Sequence, residues 1–171
     1  EVLESRLRLT NPDTTAAELW LMLARLNLDR GLLEDALRAW REAQMLGAFE
    51  RGLFAALEGA LLDGSTLPAL VDLWRLRVTC AESMDEEVEA RTGLAGVLFG
   101  RGDDAHGALD ALGPLDTSAM TNPAVLKQLM ECHKKAGNWP EYSNMLFRLA
   151  EESEAHVAAV LLLERARIQK G

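Results

Sequence analysis

The chain is short of the residues that build sheets, disulfide frameworks and membrane spans. It has one Tyr, four Phe and two Cys among 171 residues, and Val and Ile are sparse beside Leu and Ala. That balance withholds strand formers and supplies helix formers. Cys80 and Cys132 are too few and too far apart for a disulfide framework, and on helices they read as buried thiols. The longest apolar stretch, Ala155 to Leu163, is broken at His156 and falls far short of the roughly 20 residues a membrane span needs. No basic segment followed by an apolar core and a cleavage site is present, so a cytoplasmic address is expected. Because the first residue is Glu1, a removed targeting segment stays open.

Positive charge is also scarce. The net charge is −9, and Lys and Arg form no continuous stripe. Nucleic-acid binding needs several phosphate-neutralising cations on one face, so that class is set aside. The local cluster Lys127, Lys134 and Lys135 reads as a solvated patch. Arg outnumbers Lys by 14 to 4 and Ala and Gly are plentiful, a composition that points to a GC-rich bacterial source.

Catalytic constellations are missing as well. His106, His133 and His156 are scattered without metal-ligand spacing. Cys132 and His133 are adjacent, so on a helix their side chains diverge by about 100° and cannot share a metal without distortion. Gly93 to Gly107 has Gly-rich spacings, but no Gly-Lys-Ser/Thr follows and no strand precedes. The pairs Glu86-Glu87 and Glu151-Glu152 fall at helix ends, where Glu86 is placed to cap and the others to be solvated. The expectation is a non-enzymatic chain without cofactor or metal.

What the chain does have is a repeated phrase. Gly31, Gly137 and Gly171 each end an amphipathic helical run. Gly137 and Gly171 are 34 residues apart, as are Trp40 and Trp74, and the 106 residues from Gly31 to Gly137 are close to three such periods. Helix, glycine turn, helix at this period is the mark of a stacked helical array. The five prolines and 13 glycines fall mostly between apolar runs and act as punctuation.

Read along the chain, Thr15-Ala16-Ala17-Glu18 is a capping box. Leu19, Trp20, Leu23, Leu26 and Asn27 then follow helical spacing up to Gly31, and Leu33, Ala36, Leu37, Trp40 and Ala43 line the second helix. A connection this short forces the two helices antiparallel. Ala24 and Ala36 let them approach closely, with Trp20 and Trp40 filling the space on either side. A shift of 34 gives Phe54, Leu57, Leu61, Leu70 and Trp74, but Glu58 replaces Ala24 and Arg77 replaces Ala43, so this copy is degenerate. Gly64-Ser65-Thr66 turns it, with Pro68 in the first turn of its second helix. The third copy has a capping box at Ser83 to Glu86, a first helix with Leu94, Ala95 and Leu98, and a turn at Gly102-Asp103. Ala105, Ala108, Leu109 and Leu112 make its short second helix, stopped at Gly113-Pro114. Asp116 to Asn122 is the expected irregular loop. Asn122-Pro123 starts the fourth copy with Leu126, Leu129, Met130 and His133, and Tyr142, Leu146 and Leu149 complete it.

These residues resemble the tetratricopeptide repeat (TPR) family. Trp20, Leu23, Ala24, Gly31, Ala36, Trp40 and Ala43 match its pattern of large, Leu, small, Gly, Ala, aromatic, Ala, and Gly137-Asn138-Trp139-Pro140-Glu141 is similar to its turn. The family's tyrosine-type position is Asn27 here. The resemblance implies an all-α fold, a right-handed superhelical α-solenoid of antiparallel helix pairs with about ten helices. It would be a single array over 1–171: the tail of a preceding repeat at 1–12, repeats at 14–47, 48–81, 84–115 and 122–152, and a first helix of a fifth at 153–171. Both ends read as cut within a repeat, a fragment of a longer array, with Leu161, Leu162 and Ile168 lacking a downstream partner.

The resemblance also implies a concave groove whose wall is the first helix of each repeat. Its positions are Leu21, Arg25 and Leu28; Ala55, Gly59 and Leu62; Thr92, Gly96 and Phe99; Lys127, Glu131 and Lys134; and Leu161 and Arg165. A wall that is mostly small or apolar suits an amphipathic helix or an extended segment with apolar anchors. Some family members clamp a C-terminal carboxylate with Lys and Asn at the first-repeat positions that Leu21 and Arg25 hold here, which argues against that ligand. The expected function is a scaffold that binds a protein or peptide partner, with no nucleic acid and no membrane. Packing of Leu21, Leu28 and Leu62 between neighbouring repeats, a self-associating spacer array, and a recruiting extension of an enzyme elsewhere remain the alternatives.

Overall fold

The computed structural model describes residues 14–64, 66–115, 122–151 and 153–169, and among them it is all-helical, with nine helices and no strand. They are α1 (Thr14–Asp29), α2 (Leu33–Met45), α3 (Arg51–Asp63), α4 (Leu67–Thr79), α5 (Met84–Gly100), α6 (Ala105–Leu112), α7 (Pro123–Ala136), α8 (Trp139–Glu151) and α9 (Ala155–Ile168). The tail expected at 1–12, most of the loop expected at 116–122, the side chain of Thr15 and the terminal Gly171 lie outside the described residues.

The chain divides into two compact units between Glu82 and Ser83, where the second expected repeat gives way to the third. In the first unit α1 packs on α2 and α3, α2 packs on α3 and α4, and α3 packs on α4. In the second, α5 packs on α6 and α7, and the contacts then run from α6 to α7, α7 to α8 and α8 to α9. Among the described residues of each unit, a helix packs on its next or next-but-one neighbour in the chain.

The turns follow from local chemistry. Gly31 and Gly137 both adopt φ +73°, and each ends its helix with the same pair of bonds. The Leu32 amide donates to the Asn27 carbonyl and Gly31 to Leu28, as Asn138 donates to His133 and Gly137 to Lys134. This closes two carbonyls that a helix end leaves open, in a left-handed conformation that glycine adopts without steric cost. The third copy turns differently. Its left-handed residue is Asp103, at φ 53°. Gly102 is required for space, since a Cβ there would lie 2.7 Å from the Leu98 carbonyl oxygen. Ser83 Oγ accepts from the Glu86 amide at 3.3 Å, and Asn122 Oδ1 accepts from the Ala124 amide at 3.0 Å, so both expected starts carry caps.

Alanines set the helix spacing in the first unit. Ala24, Ala36 and Ala43 are fully buried, and so is Trp40. Trp20 stays half-buried, so Trp40 alone of the pair is enclosed by the helices. Around it stands an aromatic cluster: Trp40 to Phe54 at 5.8 Å, Phe49 to Phe54 at 5.9 Å, and Trp74 edge-on to Phe54 at 4.7 Å between ring centroids. The second copy's two departures from the repeat are structural. Glu58 accepts a hydrogen bond from the Trp74 indole, and Arg77, 4% exposed, lays its guanidinium 3.8 Å above the Phe49 ring centroid. Neither position could do this as alanine.

In the second unit the buried Met130, Tyr142 and Leu146 form a cluster, with Met145, Leu149, Leu161 and Ile168 packed against it. Leu161, Leu162 and Ile168 were expected to lack a downstream partner, and Leu162 is indeed exposed, whereas Leu161 and Ile168 are partly buried. These two find a partner upstream, on α7 and α8, because their side chains leave α9 on its inner side.

Candidate interaction surface

No candidate groove position is buried. In the first unit Arg25, Ala55 and Leu62 are exposed and Leu21, Leu28 and Gly59 are half-buried, on α1 and α3. Arg25 forms an ion pair with Glu50, the residue before α3, so its charge ties the two first helices and is largely answered within the unit. Nothing in the residue spacing signalled Glu50 as its partner.

In the second unit Thr92, Gly96 and Phe99 lie on α5 and Lys127, Glu131 and Lys134 on α7. Two side chains join these helices: Gln128, which the sequence reading did not name, and Lys135, which it placed in a solvated patch. Gln128 Nε2 donates to the Thr92 carbonyl at 3.2 Å, and Lys135 Nζ donates to the Phe99 carbonyl at 3.5 Å while sitting 4.6 Å from its ring centroid. Both ties span 36 residues, about one repeat. The Gln128 amide also lies above Gly96, 3.6 Å from where a Cβ would stand. Lys135 forms an ion pair with Asp103. At the other ends of the helices, Asp85, Val88, Glu89, Thr92 and the start of α7 line an open cleft of about 360 Å3.

Charge on the wall is partly committed to neighbours. Lys134 Nζ lies 3.6 Å from Glu164 and 5.4 Å from the Tyr142 ring centroid, and the Tyr142 hydroxyl donates to Glu164. The hydrogen bond with Tyr142, reinforced by the Glu164 carboxylate, holds Lys134 above its ordinary value. Burial, and then the hydrogen bond to Glu164, raise the Tyr142 phenol. Arg165 Nε donates to Ser143 Oγ at 3.3 Å and the guanidinium lies 4.6 Å from the Phe147 ring centroid. Leu161 belongs to the inner cluster of α9. Thus Lys134 and Arg165 brace three helices, and Lys127 and Glu131 are exposed on α7.

Cys132 is fully buried, and burial, with Glu131 nearby, pushes its thiol up to about 11. His133 Nδ1 is buried without a hydrogen-bond partner, and burial pushes the imidazole below its ordinary value. Among the described residues no group of three His, Cys, Asp or Glu is placed to hold a metal ion, and no helix is long and apolar enough to cross a membrane.

No protein-family model matches this chain, and no curated relative was found for it. The candidate positions on α1, α3, α5, α7 and α9 carry small, apolar and mixed-charge side chains, none of them buried.

Proposed function

We propose that the chain is a non-catalytic protein-interaction scaffold built as TPR-like solenoid repeats, whose first helices hold a peptide or helix of a partner protein. The observation that carries this is the doubled tie at one spacing: Gln128 to Thr92 and Lys135 to Phe99, each 36 residues apart, join α5 to α7 and support reading them as equivalent helices of successive repeats. Side-by-side first helices make a wall, and the exposed Gly96 and half-buried Thr92 and Phe99 leave room on it for another backbone. The matching glycine turns at Gly31 and Gly137 support the same repeat in each unit. Contacts confined to near neighbours in the chain are those of a quasi-one-dimensional array.

A blocked wall tests the proposal. Gly96→Arg adds a long side chain where only the flexible Gln128 amide is near, so folding should be unaffected. Leu62→Glu does the same on the first unit, at an exposed site. Partners captured from the source lysate by the parent chain should be lost with one or both variants at unchanged melting temperature. Identical captured sets for all three chains would remove the wall from the binding function.

A further inference from the structure

Helix α9 buries none of its residues completely. Its inner side is engaged: Leu161 and Ile168 pack on the Met130, Tyr142 and Leu146 cluster, and Glu164 and Arg165 bond to Tyr142 and Ser143. The opposite side is apolar and wet. Val160 and Leu163 are 63% and 62% exposed. Ala159 and Ala166, three or four residues from them and therefore on the same face, are exposed too. Single exposed apolar residues are ordinary, but a contiguous stripe along a helix marks a contact surface.

The two ends of the stripe differ in charge. At the amino end the Glu154 carboxylate lies 3.5 Å from Nδ1 of His156, which shares the exposed face, so negative charge borders the stripe there. At the carboxyl end stands the exposed Arg167, seven residues beyond Val160. Acid, apolar, base, read from amino to carboxyl end, complements itself only when two copies run antiparallel. A two-fold axis through the middle then lays Val160 of one copy against Leu163 of the other and brings Arg167 to the His156–Glu154 pair at both ends. Ala159 and Ala166 let the helices approach closely.

We infer that a second copy of this chain covers the outer face of α9, in an antiparallel, two-fold α9–α9 contact. This surface is separate from the first-helix wall of α5 and α7.

Sedimentation velocity on the 171-residue chain tests it. Over a roughly hundredfold range of concentration the mass should rise from monomer to dimer and stop there, because an isologous contact closes on itself. Val160→Glu should remain monomeric with an unchanged melting curve, the side chain being exposed. Arg167→Glu should raise the dimer dissociation constant roughly tenfold, by setting like charges together at both ends. Glu154→Arg with Arg167→Glu should restore it, and Glu154 gives α9 no side-chain cap that the change would remove. A wild-type chain that stays monomeric throughout overturns the inference, as does assembly growing past the dimer. So does a Val160→Glu dimer, or a double reversal as weak as the single.

Discussion

The Trp74 indole donates to the Glu58 carboxylate at 3.0 Å, linking α4 to α3. Removing the acceptor leaves a part-buried donor without its bond. Glu58→Ala should lower stability by about 1–2 kcal/mol, and Glu58→Gln, which keeps an acceptor, by less. Urea unfolding followed by circular dichroism distinguishes the two, and equal losses would mean the bond contributes nothing.

Arg77 is the most buried charged side chain of α4 and covers the Phe49 ring at 3.8 Å. Truncation removes both the packed stem and the stacking. Arg77→Ala should cost about 2–3 kcal/mol. Arg77→Lys should recover only part of this, since an ammonium lacks the planar group that stacks. Denaturant midpoints for the three chains check the order.

Trp40 is fully buried, and its Nε1 has no hydrogen-bond partner. Trp40→Ala should therefore cost about 3–5 kcal/mol through the cavity it opens. Trp40→Phe gives up volume but also removes an unsatisfied N–H, and should stay within about 1 kcal/mol of the parent. The half-buried Trp20 should lose less than Trp40 on truncation to Ala. Calorimetric melting of the three variants ranks them.

His133 supplies a pH dependence with a definite sign. Burial holds its folded-state value below the ordinary 6.5, against a smaller opposing pull from Glu141. The unfolded chain then binds the proton more readily, so stability is full above 6.5 and is lost as pH falls through the folded value. Unfolding midpoints measured from about pH 7 down to about pH 5 should fall, and His133→Leu should flatten that fall. An unaltered slope would assign it to other groups.

The two thiols should label at different rates. Cys80 is half-buried, and its value is raised by burial against the opposing charge of Arg77. Cys132 is fully enclosed, with its thiol pushed up to about 11. At mildly alkaline pH one equivalent of a thiol reagent should react with the native chain at Cys80, and the second only in denaturant. Mass mapping of the labelled peptides identifies the site.

Much of the helical plan was legible because it is local. The Gly31 and Gly137 turns, the Ser83 and Asn122 caps and the small residues at Ala24 and Ala36 are dictated by backbone sterics and by partners a few residues away. The departures in the second copy were legible only as departures. A glutamate at 58 and an arginine at 77 look like decay of the pattern until Trp74 and Phe49 are placed beside them.

The proposed wall was named in the sequence as a set of positions, without the contacts those helices make. The family resemblance pointed to Thr92, Gly96 and Phe99, but nothing in it marked Gln128 or Lys135 as side chains that hold α5 to α7. On α9 the periodicity marked apolar residues without saying which side the helix would turn inward. Burial took Leu161 and Ile168 and left Val160 and Leu163 in solvent.

From its residues alone this chain determined that it would be helical, where most helices begin and end, and which alanines permit close packing, since each depends on torsions and bonds within about one or two turns. Tertiary structure decided which tryptophan is enclosed, which charges are answered internally, and which apolar stripe faces water. Those outcomes depend on side chains some 16 to 36 residues apart in the chain. Such groups interact only after helices have packed, and only then do burial and pairing acquire a free energy.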